Sequence, residues 1–225
     1  MKPEKCKFEQ KRIEYLGLII SEGSVAMDPV KIRGVLDWLP LMKVKEVQSF
    51  LGFVNFYRSF IKDFSKKACP LHALTRKAKA WAWGPDEDRA FHTLKEAVTS
   101  APILTFPADS GHFKLECDAS NFTTGAVLSQ LQTDRKFHPV AFMSKSFMDV
   151  ECNYEVYDKE MLAIIRALEE WWHFLQGAEE KVDVYTDHCN LGYFHTAQPL
   201  NRCQAWSWHS SVLSTLFLLT CSTFS

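Results

Sequence analysis

Between residues 113 and 196 the hydrophobic pattern changes period, and this constrains the fold more than any other feature of the chain. Residues 113–118, 125–132 and 137–143 are short aliphatic and aromatic runs separated by turn residues, and each reads as a strand. Residues 151–176 then carry Tyr154, Tyr157, Met161, Ile164, Ile165, Leu168, Trp172 and Leu175 at helical spacing, with Gly177 as the stop. Residues 182–186 read as a fourth strand and 188–196 as a short helix. The order strand-strand-strand-helix-strand-helix predicts an α/β sheet with a helix on one face.

Three acidic residues fall at special places in this pattern. Asp118 ends the first strand, Asp187 ends the fourth, and Glu160 lies in the helix one position before Met161, at the edge of its apolar face. A carboxylate there calls for a partner. Hard divalent cations take oxygen ligands, and two of them roughly 3.5–4 Å apart activate a water and stabilise a leaving oxygen in phosphodiester hydrolysis. Each acid also has an ordinary reading: turn Asp, helix-cap Asp, solvated Glu. Asp158 is the rival to Glu160, two residues earlier and turned to another face. His138 and His188 are candidate proton shuttles or phosphate contacts. No nucleophile elbow and no glycine-rich phosphate loop is present.

The N-terminal part has a different character. Ile13 to Ile20 and the turn Ser21-Glu22-Gly23-Ser24 predict short β structure over 8–27. Asp28-Pro29 opens a helix that runs to about Trp38. A second helix spans 44–56, with Val44, Val47, Phe50, Leu51 and Val54 as its stripe and Gly52 allowing a close helix contact. A third spans 86–99, opened by three acids that favour the positive end of the helix dipole. The aromatics of Phe50–Ile61 read as a helix-bundle core, with Arg58, Lys62, Lys66 and Lys67 on its rim as candidate phosphate contacts. Pro102 and Pro107 bracket an extended linker, and the domain boundary is expected there.

Charge divides along the same line. Residues 1–80 carry 16 Lys+Arg against 8 Asp+Glu, and residues 81–225 carry 10 against 19. A basic half and an acidic half suit a protein that grips a polyanion in one place and binds metal in another. The seven cysteines are scattered, with no Cys-x-x-Cys pair, which predicts a reducing, intracellular setting and neither a disulfide framework nor a zinc site. No signal-peptide pattern opens the chain and no apolar run is long enough to span a bilayer, so neither secretion nor a membrane partner is expected.

Four segments together resemble the reverse transcriptase polyprotein of gypsy-type LTR retrotransposons. Lys2-Pro3-Glu4-Lys5-Cys6-Lys7-Phe8 with Tyr15-Leu16-Gly17 looks like the end of the polymerase palm, and Phe50 to Ile61 like the thumb signature. Ala101-Pro102-Ile103-Leu104 through Asp118-Ala119-Ser120 looks like the entry to a ribonuclease H domain. Tyr154 to Leu168 with Tyr185-Thr186-Asp187-His188 looks like that domain's helix and fourth strand. The resemblance implies the end of the palm at 1–27, thumb and connection at 28–105, a truncated ribonuclease H-like domain at 106–205 and a divergent tail at 206–225. The fold class it implies is α+β / α/β: a small helical thumb-connection region followed by a truncated ribonuclease H-like mixed sheet with flanking helices. It also implies that Asp118, Glu160 and Asp187 are metal-binding catalytic carboxylates, that the cofactor is Mg2+ (or Mn2+), and that the substrate is an RNA–DNA hybrid. Further partners are other nucleic acid and the rest of a retroelement polyprotein.

Two departures qualify this. No Tyr-x-Asp-Asp motif occurs, so the chain alone is not expected to polymerise DNA. The match stops near Gln204-Ala205, where the family continues with a further strand and a helix bearing a fourth aspartate; here no Asp or Glu follows Asp187. A frameshift is the simplest account. Cys189, where the family has a basic residue, is a smaller departure. Weak metal binding and marginal stability are expected from the loss. Three readings stay open: an active ribonuclease H-type enzyme, an inactive nucleic-acid-binding remnant, and a decayed reading frame.

Overall fold

A computed structural model describes residues 9–77, 80–108, 110–176, 178, 180 and 182–186, together with the backbone of 219–223. The chain opens with an antiparallel meander, β1 (Arg12–Tyr15), β2 (Leu18–Ser21) and β3 (Ser24–Met27). Its first turn places Leu16 at φ 50° and Gly17 at φ 83°, the left-handed region where glycine carries no Cβ penalty. The Tyr57 hydroxyl donates to the Gly17 carbonyl at 3.2 Å and fixes the hairpin to the helices beyond it.

The helices form where the sequence puts their caps. Asp28 accepts from the Val30 N–H at 2.8 Å and opens α1 (Pro29–Leu36). α2 runs Val44–Phe56, and α4 runs Pro85–Thr99 with Asp86, Glu87 and Asp88 in its first turn. Between them lie a 3-10 turn at Arg58–Phe60 and a helix that sequence reading left out, α3 (Phe64–Leu74). Phe64, Ala68, Leu71 and Leu74 are its buried stripe. Pro70 sits inside α3 and its basic residues break up the pattern, which hides the period. These helices close one core around Val47, Phe50, Val54, Phe60, Leu71, Phe91 and Leu94. The aromatics of Phe50–Phe60 are mainly core, as expected; Phe56 is the exposed one. Gly52 does not serve a helix contact: it is exposed, and a Cβ there meets nothing within 4 Å. The linker is pinned by β4 (Leu104–Thr105), which pairs with β3.

The second layer is a five-stranded sheet of order β7-β6-β5-β8-β9. β5 (Phe113–Ala119), β6 (Thr123–Leu131) and β7 (Phe137–Ser146) are antiparallel neighbours. β8 (Val182–Thr186) returns parallel to β5 after α5 (Val156–Glu170) has crossed one face. Phe113, Leu115 and Cys117 of β5 alternate inward with Val182 and Val184 of β8, against Ala163, Ile164, Ala167, Leu168 and Trp171.

The single helix expected over 151–176 is instead three pieces. Glu151–Asn153 is a 3-10 turn, α5 follows, and α6 is Trp172–Leu175. Tyr154 and Glu155 are extended, and Trp171 at φ −108° breaks the run. The break turns Trp171 rather than Trp172 into the core. The tail also departs from expectation. β9 (Leu219–Thr223) lies parallel to β8, Val182 opposite Leu219 through Thr186 opposite Thr223, so a fifth strand stands where its loss was expected. Leu-Thr-Cys-Ser-Thr suits an extended edge, and the open side of β8 offers it main-chain partners. The short helix expected at 188–196, and Gly177, lie outside the described residues.

The two layers pack on each other. Phe142 of β7 joins the helical core, and the Ser65 N–H donates to Ser144 Oγ at 3.0 Å. Asp63, at φ 56°, lays its carboxylate over Gly125 of β6; a Cβ at Gly125 would stand 2.7 Å from Asp63 Oδ1.

Candidate nuclease site

β5 is flanked by an antiparallel neighbour on one side and a parallel one on the other. Because β5 and β8 are parallel their carboxyl ends lie side by side, and ligands in open α/β sheets bind outside such ends. Asp118 is the next-to-last residue of β5 and is exposed. Period two places Lys114, Glu116 and Asp118 on the face away from α5, where Lys114 pairs with Glu116 at 3.1 Å and lies 4.8 Å over the Tyr185 ring.

Glu160 comes from the other face. It is 2% exposed, so α5 delivers it into the sheet end and not to solvent. Its Oε1 accepts the Ala119 N–H at 3.1 Å, and its Oε2 accepts the Thr186 hydroxyl at 3.3 Å. One carboxylate therefore joins the residue after Asp118 to the residue before Asp187. The partner that a carboxylate at this position calls for includes two neutral donors. Asp187 and His188 lie outside the described residues. Asp158 is also buried, one turn edge away on α5. His138 does not belong here: it pairs in register with Gln130, as Phe113 does, at the far end of the sheet, and its Nε2 lies 2.8 Å from Asp134.

Sequence reasoning missed Thr186. Its signal was available, because Val182 and Val184 point inward and period two carries Thr186 to the same buried face. Among the described residues no three His, Cys, Asp or Glu side chains form a metal-holding group. The donors present are carboxylate oxygens, which suit magnesium or manganese. Asp118 and Glu160 bring such oxygens to the carboxyl end of β5, one from the strand and one from α5. The residues fit such an ion.

The basic candidates cluster at the junction of the layers. Arg58, Lys62 and Lys66 are exposed, and Lys67 is half-buried with its ammonium on the Lys62 carbonyl. Burial pulls the Lys67 pKa down, against the opposing pull of Asp63. Asp118, Gly125 and Ser144 form one row across β5, β6 and β7, and the Asp63–Ser65 segment rests on that row. At about 4.8 Å between strands, Asp63 rests one strand along that row from Asp118 and Ser65 two strands along it.

A mixed sheet of this order, a helix crossing one face and carboxylates at the carboxyl ends define a ribonuclease H-like domain behind a helical lobe. Residues 83–184 match the family described as the RNase H-like domain found in reverse transcriptase. The Tf2-3 and Tf2-4 transposon polyproteins of Schizosaccharomyces pombe are 39% identical over 187 residues, 83% of this chain and 14% of each polyprotein. The chain therefore carries an RNase H-like domain of the reverse transcriptase kind and is homologous over most of its length to these retrotransposon polyproteins, which agree with the gypsy-type resemblance. It spans 14% of the length of those relatives. The foamy viral protease-reverse transcriptase in complex with double-stranded DNA shares the fold, with TM-score 0.73 and 20% identity over 96% of this chain and 38% of that one. The same viral protein in complex with an RNA/DNA hybrid gives TM-score 0.71 and 19% identity over 99% of this chain and 30% of that one.

Proposed function

We propose that the chain carries a ribonuclease H-type site that hydrolyses the RNA strand of an RNA–DNA hybrid, with Asp118, Glu160 and Asp187 as its metal-binding carboxylates. The observation that carries this reading is the Glu160 carboxylate, buried and hydrogen-bonded to both Ala119 and Thr186, the residues adjoining the other two acids. Bound Mg2+ (or Mn2+) supplies Lewis acidity and a water of lowered pKa. The chain's own residues do the rest. Asp118 presents an exposed carboxylate at the strand end. Glu160 is held by the Ala119 N–H and the Thr186 hydroxyl. Arg58, Lys62, Lys66 and Lys67 hold backbone phosphates, with an affinity that falls as salt rises.

The test is hydrolysis of a labelled hybrid by the purified chain with magnesium, beside double-stranded RNA as a negative substrate. Hybrid-specific cleavage that falls at least a hundredfold in Asp118→Asn supports the enzyme. No cleavage from a folded chain supports a second reading, an inactive nucleic-acid-binding remnant.

A further inference from the structure

Asp118 is exposed, but the Glu160 carboxylate is enclosed by protein, and what encloses it is informative. A glutamate reaches its target through three rotatable bonds, so a ligand role requires something to hold the carboxylate in one place. The Ala119 N–H does this from β5. Its donor is main chain and is present with any non-proline residue at 119. The Thr186 hydroxyl does it from β8, and that group is a choice of side chain. Thr186 is fully buried, so its hydroxyl needs an acceptor inside the protein, and Glu160 Oε2 at 3.3 Å is one. Valine has the same branched shape and strand preference. The hydroxyl is what threonine adds.

We propose that Thr186 is a positioning residue for Glu160. Its hydroxyl and the Ala119 N–H together span the carboxylate across the ends of β5 and β8 and fix the direction in which it faces. Thr186 also immediately precedes Asp187, so one side chain ties the helix-borne ligand to the strand that delivers the next acid. The inference rests on the metal-binding reading of Glu160 given above. Partners that orient a metal ligand are typically worth about 10–100-fold in metal affinity, and a contact of 3.3 Å belongs at the low end of that range.

The experiment is calorimetric titration of the full chain with Mn2+ alone, for wild type, Thr186→Val, Thr186→Ser and Asp118→Asn. Amide exchange at Ala119 is measured in the metal-free proteins, and circular dichroism checks that each is folded. Thr186→Val should bind Mn2+ about tenfold more weakly and exchange the Ala119 amide faster, and Thr186→Ser should restore both. Unchanged Mn2+ affinity in Thr186→Val, unchanged Ala119 exchange, or a serine variant no better than valine overturns the positioning role. Mn2+ binding that is lost in Asp118→Asn yet indifferent to Thr186→Val sinks this inference alone. A folded wild type that binds no Mn2+ sinks the metal reading together with it.

Discussion

Gly17 shows how much one position can be asked to do. Its φ of 83° turns the first hairpin, and a Cβ there would stand 2.7 Å from the Tyr57 hydroxyl oxygen. Gly17→Ala is expected to cost about 1–2 kcal/mol from the left-handed backbone alone, and more from the clash. In a Tyr57→Phe background the added cost should shrink, because the oxygen is gone; urea unfolding of the four proteins in this cycle measures the coupling. Gly52 is the opposite case. It is mid-helix, exposed and surrounded by open space, so Gly52→Ala should stabilise by about 0.5–1 kcal/mol through the unfolded chain and helix propensity. A lower midpoint in urea would contradict it. Nothing in the sequence separates these two glycines except that Gly17 lies between strand-like runs.

At the scale of elements, α5 is held by more than its apolar stripe. Arg166 Nη2 donates to both oxygens of Glu151 at 2.7 and 2.8 Å, both side chains are 8% exposed, and Glu151 also accepts the Met148 N–H. The pair ties the segment before α5 to its middle, with Phe147 beneath the guanidinium at 5.7 Å. Arg166→Ala leaves a buried, uncompensated carboxylate and is expected to cost about 3–5 kcal/mol, whereas Arg166→Leu with Glu151→Leu should cost far less; equal losses in denaturant titration would refute the ion-pair account. The ends of β5 and β8 opposite the site are joined by His112, whose Nε2 lies 2.7 Å from Asp183 and Nδ1 3.1 Å from Glu180. The hydrogen bond to Asp183 holds the His112 pKa above its ordinary value, with burial opposing and Glu180 assisting. A raised folded pKa stabilises fully below the unfolded pKa of about 6.5 and the benefit is lost as pH rises through the folded value. Melting curves across pH 5–9 should show wild type losing this increment on the alkaline side and His112→Ala showing a flatter profile.

Legibility followed the same scale. α1, α2 and α4 were readable because each announces itself with a cap residue or an unbroken stripe. The four strands were readable as short aliphatic and aromatic runs between turn residues, and only β5 and β8 show period two in their burial. α3 was obscured by Pro70, the break at Trp171 by an uninterrupted helical pattern, and the placement of His138 by a hairpin register that no residue spells out. Of the site, the two described acids stood out as charges in apolar settings. Their meeting through Ala119 and Thr186 depends on a long-range pairing of β5 and β8 and could not be read locally.

The whole molecule depends on how its two cores are joined. Asp63 on Gly125 and Ser65 on Ser144 set the basic junction against the sheet beside the Asp118 row. Gly125→Val drives a branched side chain into Asp63 and is expected to cost about 1–3 kcal/mol by overpacking. Its signature should be faster proteolysis of the 106–112 segment with the helical core intact; uniform loss of protection in both cores would argue that the layers do not part there.

The fifth strand bears on a different question. β9 is matched to β8 residue for residue through five parallel pairs, and parallel neighbours recognise each other by main-chain N–H and C=O groups that every non-proline residue carries. Such an edge reads no particular spelling; any segment able to stay extended qualifies. A strand held in this way can therefore change its side chains while the sheet keeps its five strands. Architecture of this kind constrains spelling less than chemistry does, and the outline of a sheet can persist where the residues that draw it are exchangeable.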